Sequence, residues 1–251
     1  MNKLIFFVLA VCLNTQAAPL AKLSIPKGVF SELAKFSIGD QKLPADYVSS
    51  LPTMIHQKMM SRSTEVLSQL SQTCSNKVKV SFPGKMTAVD NAVIQSFESS
   101  LSIVEVQYCF NSIKPSKIVS HFADPAFQKR AISTIKSYEI KSEETCQKSS
   151  VLSVGTSDYC FKAYSDLQDQ SAAIVSFNTW NESTLKANAP IYFREVLVSS
   201  KKINDKMTAF HFIAYVRGPN LSGLQKTFGK GFVEQEQNNL IEKAKAELGI
   251  Y

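Results

Sequence analysis

After residue 77, hydrophobic and polar positions alternate in most segments, which is the pattern of half-buried β-strands. The clearest case is the segment 101–110, where Val104, Val106, Tyr108 and Phe110 share one face. Strands are predicted at 78–82, 101–110, 134–145, 151–164, 172–181, 190–202 and 206–217. The last five are joined by short polar turns, and this predicts an antiparallel meander because parallel neighbours need long crossover connections.

The segment 18–76 carries a helical pattern instead. After Pro52, the apolar residues Ile55, Met59, Val66 and Leu70 recur at helical spacing. This stretch also holds three of the six methionines, namely Met54, Met59 and Met60. Methionine-rich helices are usually adaptable core filler and less often a soft contact surface. We therefore predict a helical extension that packs against another part of the molecule.

A long helix is predicted over residues 221–248, at the end of the chain. Its apolar stripe consists of Leu221, Leu224, Phe228, Phe232, Leu240, Ile241, Ala244 and Leu248. Gly229 and Gly231 fall inside it, and each costs about 1 kcal/mol relative to alanine. They predict a kink or a close approach to another group. Two short helices, over 115–122 and 124–130, are predicted between the first two strands and the meander, with Pro115 at a first helical position.

The N-terminus has the three parts of a secretory signal peptide. Lys3 precedes an apolar run over residues 4–13, and small residues follow it up to Ala17. We expect residues 1–17 to be removed and the protein to be secreted or periplasmic. A buried helix and a lipoprotein signal at Cys12 are the alternatives, although Val11 is a poor residue immediately before an acylated cysteine.

Composition and charge narrow the class of protein. Hydrophobic residues make up 44% of the 251 residues and charged residues 20%, which allows a packed core and excludes a disordered chain. The mean hydropathy of −0.06 and the lack of a second long apolar run exclude a polytopic membrane protein. The formal net charge is +7. Because the basic residues are scattered, we expect no nucleic-acid partner, whereas a membrane surface stays open.

Four of the five cysteines lie beyond the predicted signal peptide: Cys74, Cys109, Cys146 and Cys160. An even number in an oxidising compartment predicts two disulfides. Three pairings are possible. We favour a Cys146–Cys160 disulfide, because these residues flank a probable hairpin, and this leaves Cys74 to pair with Cys109. The spacings suit no common zinc site, so no metal is expected.

The order of elements in residues 100–250 resembles the START and Bet v 1-like (SRPBCC, helix-grip) lipid-binding superfamily. The segments 104–112, 113–119 and 123–125 look like the first strand, the helix entry and the turn into the second short helix of that family. The segment 215–219 and the helix after it look like its last strand and closing helix. The resemblance implies an α+β fold with a curved antiparallel sheet gripping a long C-terminal helix. The predicted parts of the chain are then a signal peptide (1–17), a helical N-terminal extension (18–76) and a START-like helix-grip domain (77–251).

The resemblance also implies a cavity between the sheet and the C-terminal helix, where a lipid or another hydrophobic ligand binds. The aromatic residues expected to line it are Tyr108, Phe110, Phe161, Phe177, Tyr192, Phe212, Phe228 and Phe232. Arg194 and Arg217 are the cations expected to meet an anionic headgroup, because both lie on aromatic-rich strands. The alternative is that these aromatic side chains fill the core completely.

Catalytic motifs do not stand out. His56, His121 and His211 have no metal-ligand spacing, and no nucleophile motif or phosphate loop is present, so no catalytic residue and no cofactor are expected. The sequence favours an exported, non-enzymatic protein that binds or transfers a hydrophobic ligand. One alternative is a cell-envelope interaction or structural protein with a filled core and a methionine-bearing contact surface. Another is a cyclase-type enzyme that uses His211 and Tyr215.

Overall fold

The computed structural model describes residues 45–82, 101–151, 155–179, 193–217 and 223–250. The first elements are α1 (Ala45–Gln72), β1 (Lys77–Ser81), β2 (Ser102–Asn111), α2 (Pro115–Ala123), α3 (Pro125–Ala131) and β3 (Ile135–Lys141). They are followed by β4 (Glu144–Val151), β5 (Gly155–Leu167), β6 (Ser171–Thr179), β7 (Phe193–Asn204), β8 (Met207–Arg217) and α4 (Gly223–Leu248). The predicted α+β class is confirmed.

All eight strands form one open antiparallel sheet in the order β1-β2-β8-β7-β6-β5-β4-β3. The strands from β3 to β8 are a meander, as the short connections predicted. The last strand of the meander, β8, pairs with β2, and Val106 faces Phe212 near the middle of both strands. The two short helices come between β2 and β3, and α4 follows β8. This is the helix-grip arrangement that the element order implied.

One face of the sheet, which we call the inner face, is covered by α2, α3 and α4. Alternate residues of the central strands, such as Phe110, Phe210 and Val198, point to this side and are buried. They form one core cluster with Phe122 of α2, Phe127 of α3 and residues of α4. Among the α4 side chains that the structure describes, from residue 226 onward, the buried members of this cluster are Leu240, Ile241 and Ala244, all in the second half of the helix.

The other face, which we call the outer face, is covered by α1. Buried apolar residues of this helix, including Ile55, Met59, Val66 and Leu70, lie against β2, β7 and β8. The described part of the predicted extension therefore packs on the sheet, as its apolar spacing suggested. The rest of the predicted extension, residues 18–44, lies outside the described residues. No helix in the described ranges is long and apolar enough to cross a membrane.

One strand of the sheet was not predicted from the sequence. The segment 134–145 was predicted as a single strand, but the chain turns back after Lys141 and β4 begins at Glu144. Ser142 in this turn has a left-handed backbone with φ of 52°. Neither glycine nor asparagine marks the turn, and most of the side chains on β3 are exposed. An exposed edge strand of this kind leaves little alternation for a sequence pattern to detect.

Two disulfides join the cysteines in the pairing that the sequence favoured. Cys74, just after α1, is bonded to Cys109 of β2, and Cys146 of β4 is bonded to Cys160 of β5. The first disulfide fastens the end of α1 to the sheet. The second lies between residues that are direct partners in the β4–β5 register. Disulfides in this number are consistent with an extracellular or periplasmic protein.

Candidate functional site

A cavity of about 90 Å³ lies between the inner face of the sheet and the helices α2, α3 and α4. Most of its walls are apolar. They include Phe122, Phe161, Ile174, Val198, Phe212 and Leu240. Polar groups are few, and they come from Gln128, Ser176, Arg194 and Gln237. An apolar cavity with a small number of placed polar groups is the usual form of a small-molecule site.

Strand alternation explains why these residues meet. Arg194, Val196 and Val198 are alternate residues of β7, so all three point to the inner face. Val198 pairs with Phe212 on one side, and Ser176 of β6 pairs with Val196 on the other. The cavity lies where α4 and α2 do not fill the space above β5, β6 and β7.

Arg194 is the charged group of the cavity wall. Its guanidinium carbon lies 5.4 Å from the centroid of the Tyr159 ring and 5.0 Å from that of Phe161. Its Nη1 is 3.4 Å from the Oγ of Ser176 and donates to it. The hydroxyl of Tyr159 donates in turn to Gln147 at 2.9 Å, which fixes this ring. The cation is therefore held against two aromatic rings by cation–π attraction.

Gln237 of α4 also lines this cavity, and its side chain carries an unsatisfied acceptor. Its Oε1 is buried and has no hydrogen-bond partner within the part of the chain that the structure describes. Gln128, the other amide in the wall, is already used, since its Nε2 donates to the carbonyl of Phe122 at 2.9 Å. A buried acceptor without a donor is rare in native proteins and costs about 1–3 kcal/mol.

Three of the predicted ligand-binding residues meet at this cavity: Phe161, Arg194 and Phe212. Tyr108 and Phe110 lie on the inner face, but they pack together with a ring separation of 4.8 Å outside the cavity wall. These two aromatic side chains therefore fill the core and do not line the cavity, as the alternative prediction stated.

Phe177 is a correction to the predicted lining. It belongs to the outer face, where its ring lies 5.7 Å from that of His56 on α1. The sequence showed the alternation of β6 but not which set of side chains pointed inward. Because the side-chain period of a strand is two, choosing the wrong set moves a residue to the opposite face.

Phe228 and Phe232 are a second correction, because they point away from the sheet. They are 75% and 41% exposed, and the cavity wall takes Gln237 and Leu240 from α4 instead. The stripe predicted along the whole helix is thus broken between its two halves. Gly229 lies beside the Phe82 ring, which an added Cβ would meet at an ordinary 3.6 Å, and Gly231 has nothing nearby. Tyr192 and the side chain of Arg217 lie outside the described residues.

A buried polar cluster between α1 and the sheet, which we call the outer-face network, was not predicted from the sequence. His211 of β8 is fully buried, and its Nδ1 lies 2.9 Å from the Oγ of Ser63 on α1. Its Nε2 lies 3.2 Å from Glu105 of β2. Arg62 of α1 donates from Nε to the same carboxylate at 2.8 Å. The signal was present in the sequence, since Glu105 and His211 interrupt strands at positions opposite to their apolar faces.

The charges in the outer-face network follow from burial and hydrogen bonding. Burial alone would raise the pKa of Glu105, but the hydrogen bonds of His211 and Arg62 outweigh it and lower that pKa to about 2. Burial lowers the pKa of His211, although Glu105 opposes the shift. The neutral imidazole then donates from Nε2 to Glu105 and accepts from Ser63 at Nδ1.

A second histidine–carboxylate pair lies in the same interface. His56 of α1 contacts Glu195 of β7 at 2.6 Å between Nδ1 and Oε1. Burial raises the pKa of Glu195, and the hydrogen bond from His56 opposes this. The second oxygen, Oε2, is buried without a hydrogen-bond partner among the described residues.

The Ser63–His211–Glu105 arrangement is similar in composition to a nucleophilic triad, but it does not face the cavity. Ser63 and His211 are both 0% exposed and meet between α1 and the outer face, on the opposite side of the sheet from the cavity. Tyr215, the other residue of the cyclase hypothesis, is likewise buried on the outer face. The residues on which that hypothesis rested are therefore separated from the cavity by the sheet itself.

Comparison with known proteins finds similarity only to solved structures, at low sequence identity. No family model and no curated protein sequence matches the chain. Among solved structures, a START superfamily protein from Mycobacterium smegmatis is similar, with 12% identity, 57% of this chain and 98% of the other covered, and a TM-score of 0.42. The lipid transfer and protein localization domain of human StarD13 has 8% identity, coverages of 74% and 95%, and a TM-score of 0.43. The Zhui aromatase/cyclase from Streptomyces sp. R1128 has 11% identity, coverages of 58% and 96%, and a TM-score of 0.38.

Proposed function

We propose that this protein is an exported, non-enzymatic carrier that binds a hydrophobic or amphipathic small molecule, such as a lipid, in the inner-face cavity. The observation that supports it best is the cavity itself, with apolar walls from the sheet and from three helices and one arginine among them. The residues we assign to the site are Phe161, Arg194 and Phe212, which the sequence predicted, together with Ser176 and Gln237. Tyr192 and Arg217 stay assigned to it as predictions from the sequence.

The size of the cavity limits what it holds without rearrangement. A volume of about 90 Å³ corresponds to roughly three water molecules in the liquid. Each methylene buried contributes about 0.8 kcal/mol, so four or five methylenes give about 3–4 kcal/mol, which is only millimolar binding. A tighter lipid ligand must therefore gain from polar contacts, or must move α4 away from the sheet as it enters. The exposed aromatic side chains of α4, Phe228 and Phe232, both lie in its first half.

Native mass spectrometry of the protein purified under mild conditions tests the proposal. We expect a bound small molecule in the wild type. The variant Ala163→Phe, which places a ring in the cavity wall, should lose it, whereas Ala246→Phe on the exposed side of α4 should retain it. If the wild type carries no extra mass and binds no fatty acid or fatty alcohol added to it, the carrier function is refuted.

Export is a separate part of the proposal. The signal-like residues 1–17 suggest it, and the two disulfides are consistent with it. Expression of the full chain with its native N-terminus in a bacterial host should give a periplasmic or secreted protein whose mass starts at Ala18. A product that keeps its N-terminus in the cytoplasm would overturn this part and leave the cavity untouched.

The cell-envelope alternative assigns a partner protein to the N-terminal helices. Within α1, Met59 is fully buried against the sheet, whereas Met54 is 39% exposed. A contact surface on the described part of α1 would thus use Met54 and not Met59. The substitution Met54→Lys should abolish capture of an envelope partner if this alternative holds, and should not alter ligand binding in the cavity.

A further inference from the structure

We propose that Glu144, Cys146 and Cys160 form a binding site for Zn²⁺ when the β4–β5 disulfide is reduced. Their ligand atoms, one carboxylate oxygen and two sulfurs, all lie within 4.8 Å of one another. Within the ranges that the structure describes, no other three histidine, cysteine, aspartate or glutamate side chains come this close. Spacing along the sequence did not indicate this site, because its ligands meet across two strands and not along one loop or helix.

The sheet brings these side chains together. Cys146 of β4 and Cys160 of β5 are direct partners in the register, and Glu144 lies two residues before Cys146. Strand alternation therefore places all three on one face of the sheet. Phe161 lines the inner-face cavity, so its neighbour Cys160 and the two other ligands belong to the outer face. The hydrogen-bonded strands keep the ligands adjacent when the disulfide opens, and the site is independent of the proposed carrier function.

The opening of the site is a balanced thiol–disulfide exchange with a dithiol reductant. The reductant transfers two electrons and two protons, so that the S–S bond breaks, two thiols form on the protein and the reductant becomes a disulfide. Zn²⁺ then displaces both thiol protons, because the thiolate is the form of cysteine that binds a metal. Reoxidation reverses both steps and releases the ion, so the redox state of this cysteine pair decides whether the metal is bound.

The donor set selects the metal. Zn²⁺ binds cysteine sulfur at about 2.3 Å and glutamate oxygen at about 2.0–2.2 Å, in tetrahedral geometry, which puts ligand atoms about 3.5–3.8 Å apart. Hard cations such as Mg²⁺ and Ca²⁺ prefer oxygen ligands. The two thiolates and the carboxylate carry three negative charges against two on the ion. Lys162, opposite Glu144 in the register, offsets the remaining charge.

Both disulfides are accessible to a reductant, and this provides an internal control. Glu144 and Cys146 are half-buried, and Cys160 is 8% exposed. In the other disulfide, Cys74 is exposed and Cys109 is half-buried. A dithiol should therefore reduce both pairs, but only the β4–β5 pair has a third ligand nearby within the described residues. Metal binding is thus distinguished from the mere loss of a disulfide.

The test uses the mature protein, reduced with dithiothreitol and desalted under nitrogen. Zn²⁺ binding is measured by equilibrium dialysis, and Cd²⁺ is the spectroscopic probe, because its thiolate complexes absorb in the ultraviolet. We expect one Zn²⁺ per reduced chain and at least about tenfold weaker binding to the oxidised protein. Glu144→Gln should weaken binding to the reduced protein by at least about tenfold, since it removes a ligand. The matched control Glu143→Gln, at the adjacent and 84% exposed carboxylate, should leave the affinity within about twofold.

Two cysteine variants assign the thiolates. Cys74→Ser with Cys109→Ser should retain Zn²⁺ binding and the ultraviolet band of Cd²⁺, whereas Cys146→Ser with Cys160→Ser should lose both. The proposal is overturned if the reduced wild type binds no Zn²⁺, if the band survives the second pair of substitutions, or if Glu144→Gln binds as tightly as its control. Unfolding of the reduced wild type, seen by circular dichroism and not reversed by Zn²⁺, would also overturn it, because the site requires the strand register. None of these outcomes bears on the carrier function, which is tested on the oxidised protein.

Discussion

The substitution Glu105→Gln tests the outer-face network most directly. The Glu105 side chain is only 5% exposed and accepts hydrogen bonds from His211 and Arg62. Its pKa of about 2 lies below the ordinary value of 4.5. Since one pKa unit corresponds to 1.36 kcal/mol, the ionised form stabilises the fold by up to about 3 kcal/mol at neutral pH. Because Arg62 is one-third exposed and partly screened by solvent, we expect about 2–3 kcal/mol.

The difference in stability between the wild type and Glu105→Gln should depend on pH in a direction that follows from the lowered pKa of Glu105. A carboxyl group whose pKa is lowered by folding contributes its full stability above its unfolded pKa, and loses it as the pH falls toward the folded value. The advantage of the wild type over Glu105→Gln should therefore be constant from pH 7 to about pH 5. It should then shrink by about 1 kcal/mol by pH 3.5. Protonation of His211 in the unfolded chain lowers the stability of both proteins below its ordinary pKa, and the loss is no larger in the wild type, because Glu105 raises the pKa of His211 in the folded state.

The assay is urea denaturation followed by circular dichroism, with both disulfides intact, at several pH values between 7 and 3.5. Glu65→Gln is the matched control, because Glu65 pairs with the same Arg62 at 3.1 Å but is 55% exposed. It should cost no more than about 0.5 kcal/mol at any pH. A Glu105→Gln variant as stable as Glu65→Gln, or a difference that does not change with pH, would show that the network does not hold an ionised carboxylate.

Three further changes probe the other parts of the fold. Burial raises the pKa of Glu195, and the substitution Glu195→Gln removes this carboxyl group. The wild type should therefore lose stability relative to the variant as the pH rises from 5 to 9. Thermal denaturation at several pH values measures this difference. Replacing both cysteines of the β4–β5 disulfide by alanine should lower the free energy of unfolding in urea by about 3 kcal/mol, since its sequence separation is 14 residues. A loss smaller than about 1 kcal/mol would contradict the expected constraint. Phe228→Ser, at an exposed side chain, should change the free energy of unfolding by less than about 0.5 kcal/mol, whereas Phe110→Ala, in the core, should lower it by about 3–5 kcal/mol. Similar losses for the two variants would mean that α4 packs on the sheet with a different face.

Much of the fold could be predicted from the sequence because its determinants are local. Short polar connections, as at Asn204–Met207, allow only antiparallel neighbours, and the apolar spacing of α1 and α4 marks both helices. The β3–β4 turn escaped detection because Ser142 adopts a left-handed backbone that glycine or asparagine normally signals. The strand it separates carries few buried residues, so alternation could not reveal it.

The candidate site was only partly predictable, because it depends on which set of alternate residues faces inward. Phe161, Arg194 and Phe212, which were predicted as ligand-binding residues, line one cavity, whereas Phe177 from the same prediction lies on the opposite face. For α4, the apolar spacing continued through Phe228, although the helix meets the inner-face core only in its second half. Gln237 could not be predicted at all, since an unsatisfied acceptor is a property of its surroundings and not of its residue type.

The two faces of the sheet differ in how strictly they fix their helices. Sliding α1 by one turn would separate Ser63 from His211, Arg62 from Glu105 and His56 from Glu195, all at once. It would leave two buried carboxylates without partners, which costs far more than the shift of an apolar contact. Helix α4 has no comparable buried network of ion pairs within the described residues, where the buried side chains that it adds to the inner-face core, Leu240, Ile241 and Ala244, are apolar. If the proposed carrier function holds, we therefore expect a ligand that enters the inner-face cavity to displace α4 and not α1, because buried polar pairs hold α1 in a single register.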